Sequence, residues 1–414
     1  MKILFINTGD NRGGAARLVM DLKDGLDKHG GFETSLFVKE KYSNNPSVFL
    51  IKKGNKFLKK IQNIFGIDIA SIWHNKWHYF LSNDLEFFNN KNLLDSRELE
   101  EADIVHCHNL HNSYFNLKNL EKISKEKPII WSLHDMWALT PHEAWQITDD
   151  PSKTIFEMEV KPNLLWDNRK HLLETKKKVY KNTRLNIVST SSWFENQVKK
   201  SILKGQALHL IYNGIDEEIF KKRDKAESRR ELGLPLDKKI ITFMASGGKH
   251  NKQKGWKYAE AVMNHFRDRE DVVFLCIGGK NDSSEKKGGN VIYIPYIDDE
   301  ARFALYYNAS DVFFNPSEAE AFCLVLVQAL SSEIPAVTFP TGIAKEAVEH
   351  KKNGYIAKYQ DARDLINGVE YVLSRSVSEL EEMGRSARKV VLEKFTKRKM
   401  VENYINLYKS LLKK

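Results

Sequence analysis

The stretch PSEAEAFCLVLVQAL, residues 316–330, follows DVFFN (311–315) and carries three signals in a short span. DVFFN reads as a short buried strand, PSEAE as a turn rich in acids, and the apolar run after it as a helix beginning near Phe322. A strand that feeds a turn and then a helix is the repeating unit of an open parallel sheet. The start of such a helix offers unpaired backbone N–H groups and the positive end of the helix dipole, which suit an anion such as a diphosphate. Glu320 stands just before the helix, and Gln328, about two turns in, interrupts the apolar run.

The same alternation extends outward through the chain. KILFIN from Lys2 and SLFVK (35–39) read as strands separated by the helix-periodic ARLVMDLKDGLDKHG (16–30), and DIVHCH (103–108), PIIWSLH (128–134) and LNIVSTS (185–191) continue the series. After HLIYNGIDEEIF (209–220) the pattern restarts with KIITFMAS (239–246), VVFLCIGG (272–279), VIYIPYI (291–297), DVFFNPS (311–317) and PAVTFP (335–340). An α/β architecture of two Rossmann-like domains follows, 1–213 and 214–394, with the hinge at the turn dipeptide Asn213-Gly214. The closing segment, 395–414, places Met400, Tyr404, Leu407, Tyr408, Leu411 and Leu412 near helical spacing. Polar residues collect at the carboxyl ends of the strands, where open α/β sheets bind ligands.

Size and composition agree with this division. A chain of 414 residues is too long for one compact core and suits two domains, while 42% hydrophobic and 11% aromatic residues are ordinary for a globular protein. Cys107, Cys276 and Cys323 are odd in number and lie in or beside apolar runs, so a disulfide framework is not expected and a reducing cytoplasm is. MKILFINTG is a first strand rather than a signal peptide, and no apolar run is long enough to span a bilayer. The net charge of +10, from 65 basic against 55 acidic residues, favours anionic partners. One segment sharpens this, because KKGNKFLKKIQNIFG (52–66) sets Phe57, Leu58, Ile61, Ile64 and Phe65 against five lysines. It reads either as a helix on an anionic membrane surface or as an amphipathic helix packed on its own domain.

Pro316-Ser317 with Glu320 and, eight residues on, Gln328 resembles the signature of the GT-B fold glycosyltransferases of family 4, which usually carry a second Glu where Gln328 stands. GGAAR (13–17), LHDMW (133–137), YNGID (212–216), SRRELGLP (228–235), KG (254–255) and NGYIA (353–357) extend the resemblance over nearly the whole chain. IVHCHN and IIWSLHDMWALT are similar to transferases that build bacterial surface polysaccharide. The resemblance implies two domains around an interdomain cleft, a C-terminal helix that crosses back to the first domain, and retaining transfer from a nucleoside-diphosphate sugar, UDP or GDP foremost. The acceptor implied is a glycan or lipid-linked sugar at the inner membrane face, and neither a cofactor nor nucleic acid is expected. Aromatic residues are not interleaved with basic ones as a nucleic-acid stacking platform requires.

Residue by residue, the resemblance assigns Lys254 to the donor diphosphate, where a cation must replace a metal as counter-charge. Lys249 and Lys252 are alternative basic partners, Gln253 stands where relatives often have Arg, and Gly247-Gly248 would form a phosphate loop. Glu320 would face the donor sugar and Gln328 the ribose, an amide both accepting and donating there. Phe322, Cys323 and Leu324 at the helix start, with Tyr296 and Ile297 at the end of VIYIPYI, complete the donor set. Gly13 and Gly14 after the first strand let backbone approach a phosphate or sugar, or form a plain βα turn.

His134, closing IIWSLH, is similar to the family's cleft histidine, and Asp135 would hold its tautomer or cap the next segment. His106 and His108 share a strand face by alternation, with His111 in the following loop. The spacing tempts a metal reading, but a convincing fourth ligand is missing and His108 and His111 fit the acceptor side better. The loop 141–166 and the insertion 40–90 differ from relatives and are where acceptor choice would reside, with His142 and Glu143 as candidates. Ser192 is either at the acceptor or a helix cap, and Glu346 is either near the donor or an ordinary helix-start acid. A non-catalytic nucleotide-sugar binding protein, or a transferase acting on nucleic acid, remains as an alternative.

Overall fold

The structure, a computed structural model, describes residues 1–11, 13–51, 81–86, 88, 90–145, 165–244, 251–279 and 290–413. Two compact units emerge. Unit 1 comprises Met1–Thr190, Phe194–Ile211 and Met400–Lys414; unit 2 comprises Ser191–Trp193 and Tyr212–Lys399. The division falls two residues before the Asn213-Gly214 turn expected from sequence. The segment 52–66 and the glycine loop Gly247-Gly248-Lys249 lie outside the described residues.

Unit 1 is built on a parallel sheet of strands β1 (Lys2–Gly9), β2 (Glu33–Glu40), β3 (Val48–Leu50), β4 (Ile104–Cys107), β5 (Ile129–Ser132), β6 (Leu185–Ser189) and β7 (Ala207–Leu210). Their order is β3-β2-β1-β4-β5-β6-β7, so the direction of winding reverses between β1 and β4. Ile3, Leu4, Phe5 and Ile6 are all buried, as are the four residues of β4 and of β5, because helices cover both faces of such a sheet. Helices α1 (Gly14–His29) and α2 (Arg169–Lys181) belong to this unit.

Unit 2 holds β8 (Lys239–Met244), β9 (Val272–Gly279), β10 (Val291–Pro295), β11 (Val312–Asn315), β12 (Ala336–Thr338) and β13 (Gly354–Ile356), also all parallel. The order β10-β9-β8-β11-β12-β13 reverses between β8 and β11. Two apolar clusters sandwich the sheet, one around Phe313, Leu326 and Leu330 and the other around Phe243, Phe314 and Val369. Among its helices are α3 (Lys225–Leu232), α4 (Trp256–His265), α5 (Glu300–Ala309) and α6 (Leu324–Ser331). The SRRELGLP stretch has a structural role: buried Arg229 on α3 donates to Asp311 Oδ2 at 2.8 Å and to the carbonyl oxygens of Ala309, Leu236 and Lys238. Asp311 also accepts from the Ile240 N–H, which ties the starts of β8 and β11 together.

The last helix, α7 (Lys397–Leu412), begins among unit 2 residues and groups with unit 1 from Met400 onward. Tyr404 and Tyr408, one turn apart, bury their hydroxyls in unit 1, and a buried hydroxyl needs a partner. Tyr408 meets His106 Nδ1 at 2.8 Å, His106 Nε2 meets Ser132 Oγ at 2.7 Å, and Ser132 meets Tyr404 at 2.8 Å. His106 is therefore a tether for the C-terminal helix, fully buried and away from any acceptor surface.

Candidate active site

In unit 2 the loops after β8 and β11 meet at the point where winding reverses. A 3-10 turn, Lys252–Lys254, ends at Gly255, whose φ of 69° places it in the left-handed region that glycine tolerates. A Cβ at Gly255 would stand 2.0 Å from the Pro316 carbonyl oxygen, so the turn lies directly on the start of the PSEAE segment. Two further bonds fasten them: Glu318 N–H donates to the Gln253 carbonyl at 2.8 Å, and the Gln253 side chain donates to the Ala319 carbonyl at 2.8 Å. Gln253 thus joins the two loops. The result is a direct contact between the two residues singled out from sequence, Lys254 Nζ to Glu320 Oε1 at 2.5 Å. Glu320 is buried and Lys254 nearly so. Burial pushes the Lys254 ammonium down, but the charge and hydrogen bond of Glu320 outweigh it and hold the group above its ordinary value. Gly342 completes the seat, since a Cβ there would stand 2.8 Å from the Glu320 Cβ and 2.4 Å from the Phe322 carbonyl.

Helix α6 begins two residues later than expected. Cys323 takes a positive φ of 90° and serves as the cap, so the first helical residue is Leu324 and Gln328 lies just over one turn in. A residue with a Cβ in that region is strained and marks a place worth attention. Phe322 and Cys323 turn their side chains into the core cluster, with Leu324 packed against it, so these residues can offer a ligand only backbone. Gln328 is buried, and its Oε1 lies 3.2 Å from the Tyr307 hydroxyl on α5. Ile297 packs against the same core and Tyr296 is exposed, as is Lys252. Glu346 accepts from the backbone N–H of Ser192 at 2.7 Å, which gives both residues a structural contact within unit 2.

The switch point of unit 1 holds a cavity of about 330 Å³ lined by Gly13 and Gly14 at the start of α1, with Lys39, Glu40, Asn109 and His111. Beside it, the rings of His134 and His108 lie 5.2 Å apart and nearly parallel, and His134 Nε2 meets His108 Nδ1 at 2.9 Å. Burial drives His134 down to about 4, with the charge of Asp135 resisting the change, and drives His108 well below the usual imidazole range. His108 stands behind His134 rather than on an open acceptor surface. Asp135 does not hold the His134 tautomer: its Oδ1 accepts from the Trp137 N–H at 2.9 Å and its Oδ2 lies 2.8 Å from His111 Nε2. Burial lowers His111, but Asp135 outweighs this and raises it above the ordinary value. His142 pairs with buried Asp84 at 3.0 Å. Among the described residues no three His, Cys, Asp or Glu side chains are grouped to hold a metal ion, and no helix is long and apolar enough to cross a membrane. All three cysteines are free and buried.

Comparison with known proteins gives the family. Residues 12–219 match the model of Glycosyltransferase Family 4, and residues 224–390 match that of Glycosyl transferases group 1. The chain belongs to glycosyltransferase family 4. Its fold is GT-B, in line with a solved structure of HepE from Anabaena in complex with UDP-glucose, which superposes with a TM-score of 0.64 at 15% identity over 99% of this chain and 100% of that one. An uncharacterized glycosyltransferase of Methanocaldococcus jannaschii, MJ1607, is 25% identical over 371 residues, 85% of this chain and 87% of its own. A relative in Escherichia coli K12 named for colanic acid biosynthesis, WcaC, is 23% identical over 333 residues, 74% of this chain and 76% of its own.

In this family 4 chain, one buried group escaped the sequence reading. Lys176 on α2 is fully buried: its ammonium donates to the carbonyl oxygens of Trp137 and Thr140 and lies 3.7 Å from the centre of the Trp137 ring. Asp84 accepts from the Trp137 indole N–H at 2.8 Å on the other side of the segment that follows Asp135. A legible signal existed, because Lys176 shares the helical face of Leu172, Val179 and Tyr180. Burial pushes Lys176 down to about 7 against the attraction of Asp84, from an ordinary value of 10.5. The folded state therefore gives up this proton near pH 7, whereas the unfolded chain keeps it to about 10.5, so unfolding takes up a proton between those values and stability gains with rising pH. Lys176→Met is expected to lose about 2–4 kcal/mol near neutral pH by stranding two carbonyl oxygens. Melting curves should show the gap between wild type and variant widening from pH 7 toward pH 9; a gap constant with pH would mean the lysine stays charged throughout.

Proposed function

We propose that this family 4 protein is a retaining glycosyltransferase that takes a sugar from a nucleoside-diphosphate sugar and delivers it to a glycan or lipid-linked acceptor in bacterial surface polysaccharide. The observation that carries this reading is the Lys254–Glu320 pair at the switch point of unit 2, beside the start of α6, where the Cys323 side chain caps no N–H group. Lys254 and the helix start supply positive charge for a leaving diphosphate, and Glu320 supplies negative charge where the departing sugar gains oxocarbenium character. As the bond from the anomeric carbon to the phosphate oxygen breaks, a phosphate oxygen on the same face takes the proton of the acceptor hydroxyl. The new bond forms on that face and the configuration is kept. His134, at the end of β5, supplies a hydrogen-bond donor for a phosphate or sugar oxygen. The polysaccharide setting is supported by the relative named for colanic acid biosynthesis, and the nucleotide-sugar donor by the fold neighbour that holds UDP-glucose.

The test is release of nucleoside diphosphate from a panel of UDP-, GDP- and other nucleotide sugars, with the anomeric configuration of the first sugar released read by proton NMR. Turnover of one donor with retention supports the reading; release with inversion contradicts it. Binding without turnover, in the presence of acceptor glycans and lipid-linked sugars, would favour the nucleotide-sugar binding protein instead. Gln328 gives a finer check. The Tyr307 hydroxyl would donate to a carboxylate there as it does to the amide, and a carboxylate accepts more strongly from ribose hydroxyls. Gln328→Glu is expected to lower the KM for the donor about three- to tenfold, while an unchanged KM would place the ribose elsewhere.

A further inference from the structure

Which nitrogen of His134 carries its proton decides whether the ring meets a ligand as a donor or an acceptor, and the residue behind it bears on that choice. His134 Nε2 is engaged with His108 Nδ1 at 2.9 Å, while its Nδ1 has no hydrogen-bond partner among the described residues. The far nitrogen of His108, Nε2, is buried and has no partner either. We infer that His108 is a positioning residue that fixes His134 in the Nδ1–H tautomer, so that His134 presents a neutral N–H donor to a phosphate or sugar oxygen.

The argument is one of accounting for a single proton. Two neutral imidazoles share one N–H between them. If His134 donated from Nε2, the proton of His108 would sit on its buried Nε2, an N–H with no acceptor. If His108 donates from Nδ1, its Nε2 is left only as a bare lone pair. Orphaned buried N–H groups are rarer than under-satisfied acceptors, so the second arrangement is favoured. His134 Nε2 then accepts, and its proton is forced onto Nδ1. Burial keeps both rings neutral near pH 7, which the arrangement requires.

The surroundings hold His108 still. The Trp131 indole donates to the His108 carbonyl at 2.7 Å, and the His106 ring packs 4.2 Å away. His106 faces two hydroxyls, Tyr408 and Ser132, each able to donate or accept, so it makes no competing demand on His108. The titratable groups acting on the pair are His106, His111 and Asp135. Asp135 is turned toward His111 and Trp137, which leaves the tautomer of His134 to His108.

The inference rests on the transferase reading only for its catalytic consequence, and the experiment separates the two. The full chain is labelled with nitrogen-15 histidine, and long-range proton–nitrogen spectra are recorded near neutral pH, with the His134 signals assigned by their loss in His134→Gln. The expected result is a protonated Nδ1 and a bare Nε2 on His134; the reverse pattern overturns the proposal. His108→Asn keeps an N–H donor and should keep the tautomer, whereas His108→Asp accepts from Nε2, should reverse the tautomer and should move the titration of His134 upward. In donor turnover, His108→Ala and His108→Asp should lower kcat about tenfold or more with little change in KM, and His108→Asn should restore it to within about threefold. Equal kcat in all three variants, with the tautomer unmoved, also overturns it. The expected tautomer with no turnover of any donor would uphold the proposal and count against the transferase reading.

Discussion

Replacing Glu320 with Gln is expected to lower donor turnover by about two to three orders of magnitude while leaving nucleoside-diphosphate binding intact or tighter. The two effects have opposite signs because Glu320 has two neighbours. Its carboxylate neutralises Lys254 at 2.5 Å, so removing the charge frees the ammonium for phosphate. The same change removes negative charge from beside a sugar that becomes cationic as its bond breaks, and losing one such stabilising group typically costs about 10²–10³ in rate. The amide is close in size to the carboxylate and fits the seat formed by Gly342, so any loss of stability comes from the unpaired Lys254 ammonium and not from packing. Kinetics on the donor identified by the panel, beside thermal melts, check this. Turnover within about threefold of wild type would reduce Glu320 to a structural partner of Lys254.

Lys254→Met should be as damaging to turnover and, unlike Glu320→Gln, should weaken nucleoside-diphosphate binding, by about tenfold or more. It also strands Glu320, a buried carboxylate whose charge is balanced by Lys254. Breaking a buried pair from one side costs about 3–5 kcal/mol, and the partial exposure of Lys254 brings the expectation to about 2–4 kcal/mol. The double variant Lys254→Met with Glu320→Gln should recover part of that stability, because no uncompensated charge is left, without recovering any activity. Urea unfolding of the three variants reads the first effect and donor turnover the second. A double variant less stable than Lys254→Met would mean that the pair is not the source of the stability.

Much of the architecture was legible because its central strands are buried. VVFLCIGG was read as a strand over the residues that form β9, and the bounds of KILFIN, SLFVK and DIVHCH fell within two residues of those of β1, β2 and β4. The strands not read, β3, β7 and β13, are edge strands of three or four residues with partly exposed positions, too short for their few apolar residues to set a pattern. The start of α6 was misplaced because apolar residues continue back through Phe322, while the chain breaks the helix at Cys323 with a positive φ that composition does not reveal.

The site was legible as a set of residues and not as a set of contacts. Lys254 and Glu320 were each singled out, but their direct pairing depends on Gly255 lying against Pro316 and on Gln253 reaching Ala319 across 66 positions. Asp135 was read either as the partner of its neighbour His134 or as a cap on the next segment; the turn after β5 gives its Oδ1 the Trp137 N–H and sets its Oδ2 beside His111. Lys176 was overlooked because it stands in a run of lysines that reads as solvated, and only its position on the apolar face of α2 marks it as buried.

The central claim is that the Lys254–Glu320 pair is the donor diphosphate site, and calorimetric titration of the matching nucleoside diphosphate into wild type, Glu320→Gln and Lys254→Met tests it most directly. Affinity kept or increased in Glu320→Gln and sharply reduced in Lys254→Met is the result this account predicts. Equal affinity in all three proteins would contradict it, since a diphosphate that ignores both members of the pair is bound somewhere else.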